Sequence, residues 1–223
     1  MNPATDIFRW FFSTRNKGKF FSQDGEDYLL HKIFEAQEKG YYVDVGSAHP
    51  VKESNTFYFY KKGWRGICVD PTPGLGILYR RFRPHDIFVN RFVSNRNGKT
   101  PFFLFNEPLL NTGNLQRKKF LAKKTSYELL KKIKVPRTSL AQIFEQHLPT
   151  GRKIDFLSLD VEQSELEVLQ SNLWTKFRPQ LIIMEVLRGD RENIGQEPAV
   201  KFLKKHGYRI TTILRRSVFF SKE

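Results

Sequence analysis

Runs of consecutive apolar residues alternate along this chain with segments whose apolar residues recur at helical spacing. Tyr41-Tyr42-Val43-Asp44-Val45-Gly46 predicts a short buried strand that stops at a glycine, and residues 56–62 follow with helical spacing. Gly66-Ile67-Cys68-Val69-Asp70 predicts a second strand, stopped by Pro71 and Pro73, with a helix over Leu75 to Phe82 behind it. Asp86 to Asn90 reads as a third strand, and Phe102 to Phe105 as a short extra one. Ser139 to Leu148 is amphipathic, with Leu140, Ile143, Phe144 and Leu148 on one face. Ile154 to Asp160 is the fourth strand, Ser164 to Gln170 its helix, and Leu181 to Glu185 the fifth strand. A helix over Ala199 to Lys205 ends at Gly207, and two β-rich runs, Tyr208 to Leu214 and Ser217 to Phe220, flank Arg215-Arg216.

Strands alternating with helices of this length require crossover connections, which gives an α/β fold on a parallel sheet. Five such units closed by a two-strand hairpin make seven strands, the last antiparallel. A nucleotide-binding dehydrogenase domain ends on another parallel strand instead. Residues 106–135 interrupt the alternation with eight Lys or Arg against Glu107 and Glu128. They are expected to form a helical, basic flap over the ligand edge of the sheet, or else a merely solvated helix. The organisation expected is an aromatic and basic segment over 1–21, then one domain over 22–223 that carries this insertion.

Composition sharpens the partners more than the fold. Lys and Arg number 38 against 23 Asp and Glu, a net charge of +15, which draws in anionic partners without saying which. Residues 1–21 hold six aromatics, from Phe8 and Trp10 to Phe20 and Phe21, among Arg9, Arg15, Lys17 and Lys19. Such a segment lies in a membrane interface or packs as an N-terminal helix, and both readings stay open. The single Cys68 leaves no disulfide within the chain, basic residues interrupt every apolar run, and no signal peptide is read at the N-terminus. A cytoplasmic protein, at most peripheral to a membrane surface, is expected.

Ligands of open parallel sheets bind beyond the carboxyl ends of the strands. Asp44, Asp70, Asp160 and Glu185 all stand at that edge, and carboxylates crowded together need a ligand or a metal to justify them. Asp70 lies where a carboxylate accepts both hydroxyls of a ribose. The turn Gly46-Ser47-Ala48-His49-Pro50 lacks the later glycines of a dinucleotide fingerprint, so an adenosine ligand without a pyrophosphate suits it. Asn90, ending the third strand, is a candidate for the adenine or a simple turn former. No metal is expected, since no His or Asn completes an oxygen cage; Asp160 and Glu185 are the pair that would hold a divalent cation if one bound.

These motifs resemble the FkbM family of methyltransferases. The resemblance covers Ser22-Gln23-Asp24-Gly25-Glu26-Asp27, Val43-Asp44-Val45-Gly46, Ser54-Asn55-Thr56, and Gly63-Trp64-Arg65-Gly66-Ile67-Cys68-Val69-Asp70-Pro71. It continues through Arg83-Pro84, Ile154 to Glu162, Glu165-Leu166-Glu167-Val168-Leu169 and Arg178-Pro179, spanning about residues 20–187. It implies a class I, Rossmann-like methyltransferase fold, S-adenosyl-L-methionine as donor, and O-methylation of a sugar or other hydroxyl. Gln23, Glu26, Asp44, Gly46, Ser47, Asn55, Asp70, Pro71 and Asn90 are then the expected cofactor residues. Asp160 is the first candidate for the base that takes the hydroxyl proton, with His49, Glu162 and Glu185 behind it. Two positions depart from the family: Gln163 stands where Gly is usual, and Ser158 where a lysine is frequent. The charge suits an anionic acceptor such as a lipid-linked or phosphorylated glycan. RNA as substrate and a non-catalytic binding module on the same fold are the competing readings.

Overall fold

The computed structural model of the protein describes residues 20–124, 126–186 and 191–223, so the expectation for segment 1–21 falls almost wholly outside them. The strands are β1 (Tyr41–Val45), β2 (Arg65–Val69), β3 (Ile87–Val89), β4 (Phe92–Val93), β5 (Gly98–Phe105), β6 (Leu129–Thr138), β7 (Phe156–Leu159), β8 (Leu181–Glu185), β9 (Tyr208–Ile213) and β10 (Ser217–Lys222). The helices are α1 (Glu26–Ile33), α2 (Phe57–Lys61), α3 (Leu75–Phe82), α4 (Leu115–Leu121), α5 (Leu140–His147), α6 (Glu165–Gln170) and α7 (Pro198–Lys205).

Seven strands form the main sheet in the order β3-β2-β1-β7-β8-β10-β9. β3, β2, β1, β7 and β8 pair in parallel, and β10 runs antiparallel to both its neighbours. The expected parallel sheet with one reversed last strand is therefore present. Every residue of β1 and β7 is buried, as central strands covered on both faces require. Alternation splits the core in two. Val43 and Val45 join Leu140, Phe144, Val168 and Leu203, so α5, α6 and α7 cover one face. Tyr42 and Cys68 join Leu30, Phe59, Leu78 and Tyr79, so α1, α2 and α3 cover the other. Helix α5 begins where Ser139 and Gln142 cap each other's backbone, fixing the start that the apolar spacing indicated.

The insertion departs from expectation. Among its described residues only α4 is a regular α-helix; the second half is β6, ten residues long, antiparallel to β5 and parallel to β4 in a separate three-stranded sheet. Lys132-Ile133-Lys134-Val135 carries the period of two that explains it, because Val135 turns into the core while both lysines face solvent. β5 starts at Gly98, four residues before the expected run. Among the described residues no helix is long and apolar enough to cross a membrane.

Candidate active site

The carboxyl ends of β1, β2 and β7 are drawn together by backbone bonds that run one residue past the strands. Gly46 N–H donates to the Val69 carbonyl (2.9 Å), Asp160 N–H to Val45 (3.0 Å) and Asp70 N–H to Val89 (3.2 Å). Gly46 has φ +79, and a Cβ there would stand 1.7 Å from the Asp160 carbonyl oxygen. Only glycine allows that approach. The N–H groups of Gly46 and Ser47, two of the expected cofactor residues, both donate to the Val69 carbonyl rather than into the cleft.

A cleft of about 300 Å³ opens above these ends. Gly46, Ala48, Asp70, Pro71 and Thr72 form one side, and Asp160, Val161, Glu162, Glu185 and Arg216 another. Residues 107–113, Arg117 and Tyr127 of the insertion close it, with Phe92, Val93 and Phe102 as an apolar wall. Asp70 receives the N–H groups of Thr72 (2.8 Å) and Ala48 (3.1 Å), which fix its carboxylate at the cleft edge and leave lone pairs for a further donor.

Three acids crowd the opposite side. Asp160, Glu162 and Glu185 each place one oxygen within 4.8 Å of the others, a set that would hold a divalent cation, with Glu162 the ligand not anticipated. Burial raises Asp160 toward neutrality, eased by a hydrogen bond from Glu185. Burial and then the Asp160 charge push Glu185 much further, so Glu185 holds the proton and Asp160 the charge. No described N–H or O–H reaches buried Glu185 Oε2, which fits pairing among carboxyls. Glu162 is pushed up to about 7 by burial and Asp160, against the pull of Arg117, whose Nε lies 2.5 Å from its Oε2.

A protonated, half-buried Glu185 leaves a pH signature. The folded chain keeps a proton that the unfolded chain has released at neutral pH. The group's stabilising contribution is complete below the ordinary carboxylate pKa and is lost as pH rises toward the folded value. Glu185→Gln is therefore expected to raise stability by about 1–3 kcal/mol, or several degrees, near pH 8, with little gain near pH 4. Thermal scans at the two pH values check this.

Several residues lie elsewhere than the sequence indicated. Asp44 does not line the cleft: it faces the α1–α3 side, accepts from the Thr56 hydroxyl (2.6 Å), and burial raises its pKa. His49 is buried in its turn, its Nδ1 accepting from Val51 N–H (3.0 Å) and Lys52 N–H (2.9 Å). Burial, then Lys52, lowers it to about 3, so it serves the loop as a neutral acceptor away from the cleft lining. The Asn90 amide donates to the Asp70 and Thr72 carbonyls (2.7 and 3.1 Å), which places it behind the cleft as a brace for that loop. Ser47 is buried outside the lining. Gln23 reaches the cleft, while Glu26 and Asn55 line a narrow extension of it beside Asp160 and Glu185. Glu26 accepts from Ser217 (2.7 Å), and Asn55 donates to Ser158 (3.1 Å).

Sequence reasoning missed Arg216, Arg117 and Arg83. Arg216 binds Asp24 (3.0 Å) and Gln23 and enters the cleft; the signal was two arginines at a hairpin tip facing four strand-end acids. Arg117 was hidden among the insertion's other cations. Gln163 has φ +72, a left-handed conformation that costs a side chain such as glutamine about 1 kcal/mol and suits the glycine expected at this position. Its side chain borders a different cleft with Glu165 and Met184.

A mostly parallel sheet with one reversed strand, and an acid-edged cleft at its carboxyl ends, define a Rossmann-like methyltransferase. The methyltransferase FkbM domain matches residues 44–210. The chain belongs to the FkbM methyltransferase family, whose cofactor is S-adenosyl-L-methionine. No curated protein matches the sequence. Solved structures with a similar fold include a TehB-like SAM-dependent methyltransferase from Corynebacterium glutamicum (13% identity, 100% of each chain, TM-score 0.49). An O-methyltransferase from Bacillus cereus in complex with SAH is similar too (11% identity, 98% of this chain and 89% of that one, TM-score 0.48). So is a protein from Klebsiella pneumoniae assigned provisionally as an O-methyltransferase (8% identity, 99% and 88%, TM-score 0.50).

Proposed function

We propose that this chain O-methylates a hydroxyl of a sugar or glycan, an anionic one by preference, in the cytoplasm. The observation that carries the reading is the place of Asp160: it lines the cleft with Glu162 and Glu185 within 4.8 Å, and burial raises its pKa to about 6. The cleft fits the cofactor's two ends. Its apolar wall of Phe92, Val93 and Phe102 suits an adenine, and Asp70 with its spare lone pairs suits the ribose hydroxyls. When bound, S-adenosylmethionine supplies an electrophilic methyl group on a sulfonium. Asp160 takes the acceptor's hydroxyl proton as the oxygen gains the methyl, and Glu185 donates to Asp160 throughout, holding its orientation. Gln23, Arg216 and the insertion wall the site against water.

The basic insertion supports an acceptor bearing phosphate or carboxylate, as charge complementarity speeds its capture. S-adenosylhomocysteine in excess is expected to raise the thermal midpoint by several degrees, since a ligand at about 100 times its Kd adds about 2.7 kcal/mol. Transfer of radiolabelled methyl to a panel of neutral sugars, sugar phosphates, lipid-linked glycans and RNA, with and without a divalent cation, then identifies the acceptor. No midpoint shift would end the enzymatic reading in favour of a binding module. Label entering RNA alone would replace the glycan.

A further inference from the structure

Beyond the residues that wall the cleft, the insertion exposes a further set of side chains. Half of the large exposed apolar side chains among the described residues fall within 115–130: Leu115, Phe120, Tyr127, Leu129 and Leu130. Leu115 is 60% exposed and Leu130 51%, so neither is explained by the fold. The residues from 122 to 132 are exposed throughout, position 125 lying outside the described residues. Between Pro108 and Thr138 nine Lys or Arg face a single acid, Glu128. The cations are threaded between the apolar groups: Lys124 Nζ lies 5.5 Å from the Phe120 ring centroid, and Arg117 Cζ 5.6 Å.

Apolar side chains flanked by long cationic ones match the depth profile of a bilayer interface, with hydrocarbon below the phosphates and ammonium groups among them. A nucleic-acid backbone would use the lysines but leave Leu115, Leu129 and Leu130 in water. The same segment borders the cleft, since Arg117 and Tyr127 line it and the Asn114 amide donates to the Gln163 carbonyl (3.0 Å). We propose that the outer face of the insertion docks on an anionic lipid bilayer and holds the cleft mouth against it. The acceptor is then one displayed at that surface. This second half rests on the methyl-transfer reading; the docking does not.

Sedimentation of the full chain with vesicles tests it, using phosphatidylcholine alone or mixed equally with phosphatidylglycerol. Binding to the mixed vesicles is expected to be at least about tenfold stronger, and to weaken as salt rises. Phe120→Asp/Leu130→Asp and, separately, Lys123→Glu/Lys124→Glu/Lys131→Glu should each lose that binding about tenfold. Both variants should keep the wild-type midpoint, because their side chains are exposed. Absence of vesicle binding overturns the proposal. So does binding that either variant retains, which would move the contact to another segment, and so does insertion-dependent binding of RNA without binding of vesicles. If vesicles bind and S-adenosylhomocysteine gives no midpoint shift, the docking stands and the methyl-transfer reading fails.

Discussion

Asp160→Asn is expected to lower methyl transfer by about 10²–10⁴-fold while leaving affinity for S-adenosylhomocysteine within a few-fold of wild type. Asparagine keeps the shape of the side chain and loses the ability to accept a proton. Because burial raises Asp160 to about 6, the wild-type rate should climb with pH through that region as the carboxylate forms, then level. Since Glu185 shares in that titration, the apparent pKa belongs to the pair. The variant should lack that limb. Initial rates across pH, with the acceptor found in the transfer panel, and calorimetry with the product give both quantities. A variant as fast as wild type would remove Asp160 from the chemistry.

Arg83→Met should destabilise the chain by about 3–5 kcal/mol, lowering the midpoint by roughly 10 °C. Arg83 and Asp86 have no exposed side-chain surface and pair at 2.7 Å. The guanidinium also donates to Tyr42 (3.0 Å), Thr56 (3.0 Å), Ser54 (3.3 Å) and the Pro50 carbonyl (3.3 Å). Thr56 in turn holds Asp44, so one buried cation ties the third strand's approach to the turn after the first. Methionine leaves Asp86 charged and buried, and Arg83→Met/Asp86→Leu should recover part of the loss. Urea or thermal unfolding of the two variants decides it; a single variant as stable as wild type would show the network idle.

The sheet was legible because its central strands announce themselves. Val43, Val45, Leu157 and Leu159 sit in short β-rich runs broken by one polar residue each, Asp44 and Ser158, and every residue of both strands is buried. β6 was not, because its period of two covers few residues and is drowned by lysines. At the cleft, Asp70, Asp160 and Glu185 were legible from strand ends alone. Asp44 was misleading: the strand pleat sends its side chain to the opposite face from Val45, a matter of one residue of register. His49 looked like a candidate base and Asn90, ending the third strand, like an adenine contact, yet both bond to nearby backbone groups. Arg216 lies 31 positions after Glu185, and a pairing that distant is fixed by β10 returning beside β8 rather than by local pattern.

Two fasteners join the insertion to the loop after β7: Asn114 to the Gln163 carbonyl and Arg117 to Glu162. The part of the chain that would select the acceptor is thus bolted to the part that would deprotonate it. Grafting another family member's insertion onto this framework would have to carry both bolts, or specificity would be exchanged at the expense of turnover.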